Sequence, residues 1–237
     1  IGLYVRLKLT EATIFIAALN KPKPKALPMV EVIVTHFKPF FLGMLICIAG
    51  YVLFYIMIAF SQIYAKSAPT VSEAGYAMGL GFSPQIFTAL LMCSAISLAI
   101  TIAISGKYID IIGRRIWLIW TTFGVAIFGL ALPYFLDNGT TTSLFWFLMI
   151  GMGLIGMGYG PLASLLPELF PTHARYSGAS LTYNISGLFG ASVAAIITLP
   201  LNANYGLKGV GIYLTLNAVL SLIGLWFITE TKDKHLA

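Results

Sequence analysis

The residues with the strongest chemical character stand in two short charged segments. The first reads Gly106-Lys-Tyr-Ile-Asp110-Ile-Ile-Gly113-Arg114-Arg115. Glycine permits a tight reversal of the chain, an aspartate can face a helix N-terminus or a basic partner, and arginine presents a planar fork of donors to carboxylates. The second reads Pro167-Glu168-Leu-Phe170-Pro171-Thr172-His173-Ala-Arg175-Tyr176-Ser177-Gly178 and brings an acid and a base of its own. Such parts suit either a gate that closes on ion pairs or plain basic surface loops.

They do not suit catalysis. The acidic residues are Glu11, Glu31, Glu73, Asp110, Asp137, Glu168, Glu230 and Asp233, and every one lies outside the long uncharged stretches of the chain, as do His36, His173 and His235. No carboxylate or histidine is therefore placed at catalytic spacing inside an apolar element, and a membrane-embedded enzyme is excluded. No spacing of His, Cys, Asp and Glu matches a metal ligand set, so neither a metal nor a cofactor is expected. Cys47 and Cys93 stand singly in apolar surroundings, where packing is their ordinary role.

A third group is polar and aromatic without charge: Tyr51, Tyr55, Gln62, Gln85, Tyr159, Tyr183, Asn184 and Asn217. Tyr51 and Tyr55 are four apart and share one helix face. A tyrosine face can hold a quaternary ammonium by cation–π attraction. These residues either line a cavity for a small molecule or pack helix on helix. Tyr64, Tyr108 and Tyr134 are better read as anchors at the membrane surface.

The elements that position these groups follow from composition. The chain has 237 residues, 59% hydrophobic and 9% charged, whereas soluble domains carry about 25% charged residues. Uncharged stretches run over 40–64, 84–105, 116–136, 144–166, 177–200 and 209–228, each long enough to cross roughly 30 Å of hydrocarbon as a helix. Lipid offers no partner to a bare loop or strand edge, and the alternation of a membrane barrel is absent. The expected fold class is all-α integral membrane with six transmembrane helices. Residues 1–39 form a leading segment, 40–228 the bundle and 229–237 a short tail.

Twelve of the 14 Lys and Arg residues fall before the first span, after the second, fourth and sixth, or at the end; Lys66 and Lys208 alone fall on the other side. Basic residues in short loops are retained on the cytoplasmic side, which puts both termini there. The net charge of +6 is thereby explained, and no basic patch interleaved with aromatics calls for a nucleic acid. Within 1–39, Ile1 to Leu19 reads as an interfacial helix. Lys21-Pro22-Lys23-Pro24-Lys25 cannot be helical and reads as a linker, solvated or held near anionic headgroups. Pro39 suits the first turn of the first span. The glycines at 151, 153, 156, 158 and 160 ahead of Pro161 suit close packing or bending of the fourth span.

The segment Gly106-x-x-x-Asp110-x-x-Gly113-Arg114-Arg115 resembles the signature loop of the major facilitator superfamily, in the copy between its eighth and ninth helices. Glu168-x-x-Pro171 and Arg175-x-x-Gly178 are similar to the elements between its tenth and eleventh helices. Glu168-Leu-Phe-Pro171-Thr-x-x-Arg175-Tyr-Ser177, with Asn184-Ile-Ser186 downstream, resembles the metabolite:proton symporter family and its proline/betaine members in particular. The opening Gly2-Leu-Tyr-Val-Arg6 and the closing Glu230-Thr-Lys232 are similar to that family's junction after the sixth helix and tag after the last.

The resemblance implies that the six spans are helices 7–12 of a carrier and that a further six-helix half is its partner. It also implies a multi-pass protein of a bacterial plasma membrane that moves a small zwitterion or organic acid with protons, by alternating access. Gly106, Asp110, Gly113, Arg114, Arg115, Glu168, Pro171, Arg175 and Gly178 would gate the cytoplasmic side, with Asp110, Arg114, Arg115, Glu168 and Arg175 as one charge network. A buried carboxylate is the usual proton carrier; with none in the spans, proton coupling falls to the other half. The alternative is a truncated or split product without transport activity of its own.

Overall fold

The computed structural model describes residues 28–230. The expected interfacial helix, the Lys-Pro run and the charged ends at Arg6 and Lys232 lie outside the described residues. Within them the chain is helical apart from short connections and an isolated bridge between Val71 and Ala77.

A short helix α1 (Pro28–Thr35) ends at His36, whose φ of −118° and ψ of 34° interrupt the helix. The long helix α2 (Phe37–Lys66) starts at once, with Pro39 in its first turn, where a missing N–H costs nothing. α3 is Pro84–Ile112, α4 Arg114–Asp137, α5 Thr141–Glu168 and α6 Arg175–Trp226. Starts are written in local chemistry. Ser83 accepts a hydrogen bond from the Ile86 N–H at 3.4 Å ahead of Pro84, and Thr140 accepts one from Ser143 at 3.2 Å.

Among the described residues five helices are thus long and apolar enough to cross a membrane, not the six expected. The difference lies in α6, whose 52 residues would extend about 78 Å if straight. Residues 201–208, expected as a loop, keep helical hydrogen bonding except at Gly206, with φ 67° and ψ −170°. There the Tyr76 ring, on the α2–α3 loop, sits where a side chain would project, 2.6 Å from an ideal Cβ. Asn202 and Ala203 hold the same loop through bonds to the Ala77 carbonyl and from the Ser72 hydroxyl.

The two arms of α6 meet one turn of α2. Gly190 lies against Ile48 and Tyr51, and Ser221 accepts a bond from the Ala49 N–H at 3.1 Å while donating to the Leu45 carbonyl at 2.7 Å. Residues 31 apart in a straight helix would be separated by about 46 Å, so α6 doubles back at Gly206.

Lipid gives helices no hydrophobic reason to associate, so contact depends on small residues and interhelical hydrogen bonds. Gly153, Gly156 and Gly160 of α5 lie against Ser97, Thr101 and Ser105 of α3, and the Ser97 hydroxyl donates to the Met149 carbonyl at 2.9 Å. Gly129 of α4 touches the backbone at Gly211 of α6, where Thr215 donates to the Ala126 carbonyl at 3.0 Å. The glycine row of α5 is therefore used largely for packing, and α5 runs unbroken through Pro161 and Pro167. The main core fills the space among α2, α4, α5 and α6 with Val52, Leu53, Phe60, Leu132, Phe147 and Leu214. α3 is the least buried of the five helices.

Two helices carry a π-turn that the sequence reading did not anticipate, Ile56–Phe60 in α2 and Leu188–Ser192 in α6. Such one-turn insertions are often found at functional sites.

Candidate functional site

The first charged segment is not a loop. Its residues from Gly106 to Ile112 are the last turns of α3, with Gly113 alone as the connection and Arg114 already in α4. Gly113 makes the reversal at φ 104°, a conformation open in practice to glycine alone. Gly106 has nothing within reach of an added Cβ and no turning role. Next to Gly113 the Glu230 carboxylate accepts from the backbone N–H groups of Arg114 and Arg115, both at 3.0 Å. It caps the N-terminus of α4, where unpaired N–H groups and the helix dipole favour an anion.

The two arginine side chains go separate ways. Arg114 Nη1 donates to Glu168 Oε2 at 2.7 Å, and Nη2 lies 3.8 Å from Asp110. Arg114 and Glu168 are 18% and 12% exposed while Asp110 is 73% exposed, so the partly buried pair is the strong member. Arg115 turns to the end of α6, where its Nε and Nη2 donate to the Leu225 and Trp226 carbonyls at 2.9 and 3.0 Å. The expected network thus needs two corrections. Arg115 caps a helix C-terminus instead of pairing with an acid, and the Arg175 Nε is buried without a hydrogen-bond partner. Glu230, not assigned to the network from sequence, joins it through the backbone at the start of α4. The one available signal was an acid placed just after an apolar span, and its partner, 116 residues away, is invisible to local pattern.

In the second segment Phe170 is buried against Gly178, and Ala174 accepts from the Gly178 N–H at 2.7 Å, so Gly178 serves close packing at the start of α6. Pro171 shapes the turn, its carbonyl accepting from the Ala174 N–H at 2.9 Å. His173 Nε2 lies 2.7 Å from Glu31 Oε1 on α1.

Of the uncharged residues, three come together. Tyr51 and Tyr183 pack on the cluster around Cys47, Leu166 and Ala179, and the phenols of Tyr51, Tyr159 and Tyr183 are close enough to interact electrostatically. The Tyr51 ring lies over Gly187, one residue before the π-turn of α6. Tyr55 instead packs against the main core. Gln62 lines a separate hollow of about 480 Å³ with Ala59, Ile63, Lys66 and Ser67 near the other end of α2. Gln85 is exposed at the start of α3. Asn184 and Asn217 give their amide N–H groups to carbonyls of their own helices, Ser180 and Tyr213, both at 2.8 Å.

The comparisons with known proteins agree with a carrier. The chain is 90% identical over 237 residues to a Haemophilus influenzae protein provisionally named a metabolite transport protein, covering all of this chain and 53% of that one. It is 37% identical over 237 residues to the inner membrane metabolite transport protein YhjE of Escherichia coli, covering all of this chain and 52% of that protein. Against the proline/betaine transporter of Salmonella typhimurium it is 25% identical over 248 aligned residues, which take in all of this chain and 47% of that one. The chain spans about half the length of the curated relatives it matches. No solved structure is a significant match. Residues 75–237 match the family model described as sugar (and other) transporter. With more than half of its length matched and five helices fit to cross a bilayer, this multi-pass membrane chain belongs to that family, within the major facilitator superfamily.

Proposed function

We propose that this chain is the C-terminal half of a secondary active transporter that moves a small metabolite, such as a zwitterion of the proline/betaine kind or a small organic acid, together with protons. The observation that supports it most is the charge cluster at one end of the bundle. Asp110, Arg114, Glu168 and Glu230 tie the ends of α3, α4 and α5 and the segment after α6 through one two-bonded helix cap and one partly buried ion pair. In a carrier that rocks between two states, such a cluster holds one side shut and is remade in each cycle. In this reading α6 is two crossings joined at Gly206, giving six in all. The basic residues then face the cytoplasm, and the protein sits in the inner membrane with both termini inside.

The face shared by Tyr51, Tyr159 and Tyr183 is the candidate substrate wall, supported by the π-turn beside Gly187 and by the exposure of Tyr159 beside the partly exposed Tyr51 and Tyr183. A second six-helix half closes the cavity and carries the proton-binding carboxylate. α3, the least buried helix, has the apolar face left for that half or for lipid. A second reading is a chain that transports only when paired with its other half.

Uptake of labelled proline, betaine and dicarboxylates by the intact carrier, with and without a pH gradient, is the test. One of these substrates should accumulate only with the gradient. Tyr51→Ala should raise KM by about 3- to 30-fold, as loss of a cation–π contact predicts, and Tyr55→Ala should change it less. Gradient-independent uptake would exclude proton coupling, and an unchanged KM for Tyr51→Ala would remove the tyrosine face from the site.

A further inference from the structure

Two of the three histidines, which carry no metal spacing in the sequence, are brought together by the fold. His36 stands at the break between α1 and α2, and His173 lies in the turn between α5 and α6. Their rings are 6.3 Å apart, centre to centre, and tilted by 58°. Glu31 of α1 completes the group, and one donor atom from each of Glu31, His36 and His173 lies within 4.8 Å of the other two.

We propose that Glu31, His36 and His173 form a binding site for a divalent transition-metal ion of the zinc class. Two imidazoles with one carboxylate are a borderline-soft donor set, suited to zinc or copper and poorly suited to magnesium or calcium, which take oxygen ligands. Tetrahedral zinc with bonds of about 2.0–2.1 Å places its ligand atoms about 3.4 Å apart. The 2.7 Å contact between Glu31 and His173 must open by less than an ångström, and no other separation in the group, all being within 4.8 Å, must close by more than about 1.4 Å. Small rotations of the exposed His173 and the partly exposed Glu31 and His36 side chains accomplish both.

The backbone beneath is already fixed. Val32, next to Glu31, and Ala174, next to His173, are buried in one apolar cluster with Phe40 and Phe170. The His36 N–H donates to the Val32 carbonyl at 3.0 Å, and the His36 carbonyl accepts from Phe40 at 3.1 Å. The cluster is reachable from solvent, since the His173 and Glu31 side chains are 54% and 21% exposed. Three protein ligands leave a fourth position for water. A bound ion would fasten α1 to the turn ahead of α6, at the end of the bundle that also carries the Arg114–Glu168 pair, which is a different function from moving the substrate.

The test is cobalt binding to the intact carrier, purified in detergent and stripped of metal, read by its visible d–d absorption. One Co²⁺ per chain should bind with a tetrahedral spectrum and be displaced by Zn²⁺. His173→Ala, His36→Ala and Glu31→Gln should each weaken binding by at least about tenfold, with gel-filtration elution unchanged. Since His173 is exposed, its variant keeps the fold intact and makes that arm decisive. Absence of a saturable spectrum in the parent, or affinities unaltered in the His173 and His36 variants, would overturn the site.

Discussion

At the residue scale, Arg114 is held by unequal partners. Glu168 is nearly enclosed with it and accepts at 2.7 Å, whereas Asp110 is open to water at 3.8 Å. Replacing Glu168 by Gln leaves a half-desolvated guanidinium without its anion, and should lower stability by about 1–3 kcal/mol. Asp110→Asn should cost less than about 1 kcal/mol, since exposed pairs contribute little. Thermal unfolding of the purified protein checks the order; an Asp110 variant as damaging as the Glu168 variant would contradict the assignment of the strong pair. The sequence offered both acids and Arg175 as equals. Only burial separates them, and burial is set by how α4, α5 and the segment after α6 meet, which no local spacing encodes.

At the element scale, the two glycines of the first charged segment have different work. Gly113 turns the chain at φ 104° beneath the Glu230 carboxylate, whose Oε2 would lie 2.7 Å from an added Cβ. Gly113→Ala should therefore destabilise by about 1–3 kcal/mol and loosen the cap on α4. Gly106 is inside α3 with open space around it, and Gly106→Ala should be neutral or stabilising by up to about 1 kcal/mol through helix propensity. Unfolding midpoints of the two variants give the comparison. If Gly106→Ala keeps its midpoint yet abolishes uptake, the other half packs on that face of α3. Legibility was high for helix starts, because Ser83-Pro84, Thr140 and Pro39 announce them locally. It was poor for the π-turns in α2 and α6, where Ile56–Phe60 and Leu188–Ser192 carry no distinctive residue and the extra residue per turn answers to neighbours in space.

On the scale of the whole molecule, the doubling back of α6 decides the topology. With two arms meeting the same turn of α2, the bend at Gly206 and the α4–α5 turn at Asn138 lie at one end of the bundle, and Tyr176 at the other. In whole cells, cysteines introduced at Asn138 and Asn204 should react with an impermeant thiol reagent, and one at Tyr176 should not. Labelling at Tyr176, or protection at Asn204 alone, would overturn the six-crossing, termini-inside arrangement. Asn138, Asn204 and Tyr176 are all exposed, so access depends on the membrane side rather than on burial.

By itself the sequence determined that this chain lives in lipid, that it is helical and where four of its crossings lie. The reason is that the cost of burying charge or bare backbone in hydrocarbon acts on every residue locally. It also carried the signature segments that name the superfamily. The tertiary structure decided everything that depends on distant residues meeting. It made Glu230 a cap 116 residues from its helix, gave Arg115 to carbonyls, brought three of eight lining candidates near one another and drew His36 and His173 together beside Glu31. Those pairings follow from which helix faces pack together, a property of the whole bundle that no window along the chain contains.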